Sequence, residues 1–125
     1  FKLYNPKMNT TKLGRQGESL AAESYQKKGY TILKRNYRFG RSEVDIIARK
    51  GEILAIVEVK SRTSTYFGDP QSFVSKKQQR SLIVAADHFV STNNLDVNVR
   101  FDIVSIVSQG KNIKLQIIEN AFYPF

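Results

Sequence analysis

Ser42-Glu43-Val44-Asp45-Ile46-Ile47-Ala48-Arg49-Lys50-Gly51-Glu52-Ile53-Leu54-Ala55-Ile56-Val57-Glu58-Val59-Lys60 places two β-branched, apolar runs on either side of Lys50-Gly51. Glycine is the residue a tight turn asks for, so the stretch predicts a β-hairpin. The runs are apolar almost throughout, which predicts strands buried on both faces. Glu43, Asp45, Glu58 and Lys60 interrupt them. Side chains in a strand alternate faces, so Glu43 shares a face with Asp45, and Glu58 with Lys60. A loop of even length sets Asp45 opposite Ile56 or Glu58 and turns all of these side chains to one side. Val44, Ile46, Ala48, Ala55, Val57 and Val59 then form core on the other.

Carboxylates and a lysine on a largely buried sheet are costly. A buried charge must be paired or bound to a metal to offset its lost hydration. A hard divalent cation such as Mg2+ takes one or two carboxylates plus waters and substrate phosphates, and Asp45 and Glu58 are suited to that role. Lys60 would then position and help deprotonate an attacking water, or stabilise charge on phosphate. The competing reading is an ion-paired sheet end with Lys60 bound to Glu43 or Glu58. Parity alone leaves both open.

Asp45 followed across a short hairpin by Glu58-Val59-Lys60 resembles the PD-(D/E)xK nuclease core, with Val44 in place of the proline. A closer resemblance, along nearly the whole chain, is to the YraN-like family of bacterial proteins. It is carried by Gly14-Arg15-Gln16-Gly17-Glu18, Ala21-Ala22, Gly29-Tyr30, Arg35-Asn36-Tyr37-Arg38 and Ser42-Glu43-Val44-Asp45-Ile46-Ile47. Val57-Glu58-Val59-Lys60-Ser61-Arg62, Lys77-Gln78 and Arg100-Phe101-Asp102 continue it. Ser42 replaces a glycine usual in that pattern. The resemblance implies an α/β fold: a mixed β-sheet flanked by helices with a restriction-endonuclease-like core. It also implies a fold similar to archaeal Holliday-junction resolvases. Glu43, or Glu18 from beside the apolar stripe of its helix, would complete the metal site directly or through water; the resemblance strengthens Glu18 as that further ligand or acid, and makes Gln78 a residue orienting water or phosphate.

At 125 residues the chain is expected to form one domain. Its 20 basic and 11 acidic residues give a formal charge of +9, which favours an anionic partner, nucleic acid first. No strongly amphipathic basic helix points to a membrane surface. Cysteine is absent, which excludes disulfides, thiolate zinc sites and cysteine nucleophiles. No apolar run reaches a membrane-spanning length. Residues 1–8 read as an N-terminal extension without a signal-peptide core, Met8 is a candidate start, and the cytoplasm is the expected location.

The rest of the chain frames the hairpin. Asn9, Thr10 and Thr11 are N-cap residues for a helix running to about Lys28, ended by Gly29. Gly14, Gly17, Ala21 and Ala22 would let it approach a sheet closely. Residues 30–37 read as a strand, with Tyr30 and Ile32 on one face and Thr31 and Leu33 on the other. Lys34, Arg35, Arg38 and Arg41, interleaved with Tyr37 and Phe39, suit phosphates and exposed bases, or simply guard a strand edge. Residues 61–69 read as a polar loop in which Arg62 would touch phosphate, with Tyr66 and Phe67 as packing anchors; Pro70 and Ser72 would open a helical turn.

Ser75 with Gln78 has capping-box spacing for a helix from Lys76 to Ser91, buried through Leu82, Ala85, Ala86 and Phe89. Lys76 and Lys77 sit at the positive end of that helix, which makes most sense beside a phosphate. His88, the only histidine, reads as structural. Residues 96–107 and 113–119 read as strands joined by a turn at Gly110, with Arg100 and Asp102 as a structural pair. The predicted order is α-β-β-β-α-β-β. The expected activity is Mg2+- or Mn2+-dependent hydrolysis of DNA phosphodiester bonds, selective for branched structure, with a symmetric dimer favoured for cutting two strands. The alternative is a non-catalytic nucleic-acid-binding protein in recombination, repair or uptake.

Overall fold

A left-handed glycine turns the chain at Gly51, where φ is +60°, and the hairpin forms as the sequence predicts. The structure, a computed structural model, describes residues 6–62 and 74–123, with side chains from Gly14 onward. Along the chain run α1 (Pro6–Lys27), β1 (Thr31–Phe39), β2 (Ser42–Lys50), β3 (Ile53–Arg62), α2 (Lys76–Thr92), β4 (Asn98–Gln109) and β5 (Asn112–Phe122). This is the predicted order. The strands lie in one sheet in the order β1-β2-β3-β4-β5. Neighbours are antiparallel except β3 and β4, which are parallel. A parallel pair needs a long crossover, and α2 lies within it.

The crossover puts α2 on one face and α1 covers the other, which is why the hairpin strands are apolar on both sides. On one face Ala21, Ala22 and Tyr25 of α1 pack over Ile46, Ala48, Ala55, Val57, Val104 and Ile106. On the other, Leu82, Ala85, Ala86 and Phe89 of α2 pack over Val44, Ile47, Leu54, Ile56, Phe101 and Ile103. Each large aliphatic side chain buried this way contributes about 1.5–3 kcal/mol. Gly17 lets α1 settle onto the sheet: a Cβ there would run into Ser61 Oγ and lie 3.0 Å from Ile106 Cδ1. Gly14 meets nothing within 4 Å, so close approach does not depend on it.

The side chain of Asp102 is fully buried on the α1 face and is held from every direction. Arg100 Nε and Nη2 donate to its Oδ1 and Oδ2 at 2.9 and 2.8 Å. Tyr25 Oη donates to Oδ2 at 2.6 Å, and Asn120 N to Oδ1 at 3.0 Å. Burial beside this carboxylate raises the Tyr25 phenol above its ordinary value. The pair predicted as structural is structural, and it ties α1, β4 and β5 together.

Several boundaries and one face differ from the sequence reading. Helix α1 is already formed at Pro6, ahead of the caps expected around Asn9–Thr11. Ser61 and Arg62 continue β3 instead of opening a loop, because their backbones pair with Ile106 and Val107 of β4. β5 runs on to Phe122 past Asn120, which takes a left-handed φ of 55°. Val44 shares the α2-side core with Ile47 and not the α1-side core with Ile46, so strict alternation breaks between them. The expected loop anchors Tyr66 and Phe67, and the turn at Pro70 and Ser72, lie outside the described residues. Among the described residues no helix is long and apolar enough to cross a membrane.

Candidate functional site

The break in alternation is where the charged residues meet. The β2–β3 register ends at Ile46 opposite Val57, so Asp45 and Glu58 are the next residues along, at the point where the ladder stops. Asp45 fills the gap with its side chain: its Oδ2 accepts from Val59 N at 2.8 Å. Its carboxylate also lies within hydrogen-bonding reach of Glu58. Glu58, 8 % exposed, faces α2, where Gln78 Nε2 donates to its Oε2 at 2.6 Å. Lys60 Nζ stands 3.3 Å from the same oxygen.

The first turn of α2 is built for this. Ser75 caps the helix by accepting from Gln78 N at 3.1 Å. The reciprocal half of a capping box, from the Gln78 side chain back to Ser75, is replaced by the bond to Glu58. The cap fixes the backbone of Gln78, and its amide is spent on the site.

Electrostatically the carboxylates are under strain. Burial, then repulsion from Asp45, push the Glu58 carboxyl up from 4.5 to about 8, against the pull of Lys60. Burial raises Asp45 too, opposed by the hydrogen bonds from Val59 N–H and with Glu58. Glu18 reaches the edge of the group from α1. Its carboxyl is raised by partial burial and by Asp45, and lowered by Arg35 and by a hydrogen bond from Asn36. Glu43 repels Asp45 and Glu18 but is bound to Arg38, Nε to Oε2 at 2.9 Å, near the β1–β2 turn.

Asp45, Glu58, Lys60 and Gln78 are therefore brought together, with Glu18 and Glu43 at the margin. Arg35, Arg38 and Arg41 are exposed on β1 and its turn, Lys76 and Lys77 are exposed at the start of α2, and Arg62 is half-buried at the end of β3. Of the two pairings open for Lys60 in the sequence, Glu58 is the one made. His88 has the structural role expected of it: its Nδ1 meets Tyr37 Oη at 2.6 Å. Two contributors escaped the sequence reading. The Val59 N–H is a backbone group with no residue signature. Asn36 carries a weak one, since asparagine is among the few residues at home with its left-handed φ of 54°.

Among the described residues no group of three or more histidine, aspartate or glutamate side chains is arranged to hold a metal. The donor set nevertheless fits a hard cation. A buried and a half-buried carboxyl group that repel each other, with backbone and amide donors fixing their orientation, match the carboxylate pair Mg2+ or Mn2+ takes alongside waters and phosphate oxygens.

Residues 17–106 match the pattern of the uncharacterised protein family UPF0102. The chain is 47 % identical over 113 residues to UPF0102 protein FP2501 of Flavobacterium psychrophilum, covering 90 % of this chain and 95 % of that protein. It is 46 % identical over 113 residues to a UPF0102 protein of Christiangramia forsetii, with the same coverage. It is 39 % identical over 112 residues to UPF0102 protein BF0634 of Bacteroides fragilis, covering 90 % and 93 %.

Proposed function

The chain belongs to the uncharacterised protein family UPF0102, and for this member we propose a divalent-metal-dependent nuclease that hydrolyses phosphodiester bonds of DNA, selective for branched structure. The observation that carries the reading is Lys60 Nζ at 3.3 Å from Glu58, itself paired with Asp45 where the β2–β3 ladder ends. Asp45 and Glu58 would hold Mg2+ or Mn2+. Such a cation, when bound, polarises a phosphoryl oxygen and lowers the pKa of a water beside it.

The chain's own side chains divide the remaining work. Lys60 orients the attacking water and stabilises charge that develops on phosphate. Gln78 and the Val59 N–H hold Glu58 and Asp45 in place, which matters because small displacements of ligands are costly. Glu18 from α1, or Glu43 from β2, completes the site directly or through water. The formal charge of +9, the exposed Arg35, Arg38, Arg41, Lys76 and Lys77, and Arg62 at the end of β3 suit the phosphate backbone. Backbone contacts position without reading sequence, which favours recognition of shape. Cutting both strands of a branched substrate would call on two copies of a one-site chain, acting in the cytoplasm.

One observation favours a second reading, a nucleic-acid-binding protein without catalysis. Glu58 is already satisfied by Gln78, Lys60 and Asp45, as a purely structural ion pair would be. Cleavage of labelled duplex, single-stranded, flap, D-loop and four-way-junction DNA, and of RNA, in Mg2+ and in Mn2+, separates the two. Wild type is expected to cut a branched DNA, and Lys60→Ala to lose cutting while still binding. Binding without cutting by wild type would favour the second reading, and equal cutting by both proteins would remove Lys60 from the chemistry.

A further inference from the structure

At the β1–β2 turn Phe39 is 40 % exposed, yet it is not a loose surface ring. Its centroid lies 3.8 Å from that of His88, with the planes 13° apart. His88 is itself fixed by Tyr37 Oη at 2.6 Å, and Tyr37 packs edge-on against the buried Phe89 at 5.2 Å. The turn is pinned to α2 a second time by Ser81 Oγ, which donates to Ser42 Oγ at 2.9 Å. One face of the Phe39 ring is thus covered by a parallel, immobilised ring. Its exposure lies on the other face and the edge.

Single exposed apolar residues are ordinary and need no function. Three further features set Phe39 apart. Arg38 and Arg41 flank it, and both are exposed. Phe39 pairs with Ser42, which stands three residues before Asp45 on the same strand, so ring and carboxylates share one end of the sheet. The separation along β2 is about 10 Å at about 3.3 Å per residue, the span of about three stacked nucleotides at about 3.4 Å each.

From this we infer that Phe39, backed by His88, is a stacking platform for an unpaired base of the bound DNA strand, with Arg38 and Arg41 on the adjoining phosphates. A base inside a duplex has both faces covered by its neighbours. Only an unpaired or splayed base offers a free face to an aromatic ring. The platform therefore selects flaps, junction arms and single strands over blunt duplex, and sets the cut a fixed few nucleotides from the unpaired base. The inference rests on the nucleic-acid reading above and supplies the origin of its structural selectivity.

The chain has no tryptophan, so Phe39→Trp introduces a single indole at the platform, which can be excited selectively over the tyrosines. Titration with single-stranded, flap and blunt duplex oligonucleotides, in chelator so that nothing is cut, reads stacking directly as quenching. Quenching is expected at about ten-fold lower concentrations of flap or single strand than of blunt duplex. Phe39→Leu, which keeps an apolar side chain against His88, is expected to bind the flap about ten-fold more weakly in anisotropy and the blunt duplex unchanged. Equal quenching by all oligonucleotides, no quenching, or an unchanged flap affinity in Phe39→Leu would overturn the platform. Cleavage by wild type without selective quenching removes the platform and leaves the nuclease. Selective quenching without cleavage does the reverse.

Discussion

Gln78 Nε2 donates to Glu58 Oε2 at 2.6 Å, and this bond joins the first turn of α2 to the strand that carries the site. The capping serine fixes where Gln78 stands, and Gln78 fixes where Glu58 points. A helix-start signal in the sequence thereby becomes a positional constraint on a carboxylate.

Gln78→Ala should leave the Ser75 cap intact, because the bond to the cap comes from the backbone N–H. Supporting residues around ligands are commonly worth about 10–100-fold in affinity or activity. Cleavage and Mn2+ affinity are expected to fall within that range, with far-ultraviolet circular dichroism unchanged. Full activity in the variant would show that Glu58 holds its position without Gln78.

Stability should depend on pH in a direction opposite to that of an ordinary ion-paired carboxylate. The folded protein raises Glu58 from 4.5 to about 8, so it binds that proton more tightly than the unfolded chain does. The resulting stabilisation is complete below the unfolded value and is lost as pH climbs from about 4.5 to about 8. In the absence of metal, the melting temperature is expected to fall across that window. The loss is on the order of a few kcal/mol, since each pKa unit is worth about 1.4 kcal/mol. Glu58→Gln, which cannot ionise, should flatten the slope, and Mn2+ should restore stability at the alkaline end by binding the ionised pair. A slope that persists in Glu58→Gln would assign it to another group.

Gly17→Ala should destabilise the protein by about 1–3 kcal/mol, the usual cost of overpacking. The new methyl meets Ser61 Oγ first and Ile106 Cδ1 at 3.0 Å, whereas Ser61 Cβ lies at an ordinary 3.7 Å. Adding Ser61→Ala removes the worse clash, so the double variant should recover most of the loss. Chemical denaturation of the four proteins measures the coupling. Additive effects would mean that α1 shifts away from the sheet instead of pressing on Ser61.

The sequence made the frame of this molecule legible wherever local chemistry decides it. Lys50-Gly51 between β-branched runs marks the hairpin, Ser75 marks the start of α2, and the Glu58-Val59-Lys60 spacing puts acid and lysine on one face. What it concealed depends on partners far along the chain. Ser61 and Arg62 look like loop, and are strand because β4 is there to pair with them. Val44 crosses to the α2 layer with no glycine or proline to announce the break; the cause is the end of pairing with β3. Helical spacing sets Glu18 beside the buried stripe of α1, but which sheet residue it approaches is tertiary, and only the fold shows that Asp45 is the neighbour.

The single parallel pair, β3 with β4, also orders events in time. β1, β2 and β3 are joined by short turns and can zip within microseconds, whereas closing a long loop before any contact rewards it is slow. Asp45 and Glu58 are thus expected to come together early on the hairpin, still hydrated. Gln78 arrives only when α2 docks and β4 finds its place. Pulsed hydrogen exchange during refolding should protect the amides of β2 before those of β4. The chain then spends its final folding step drying the pocket its carboxylates already occupy.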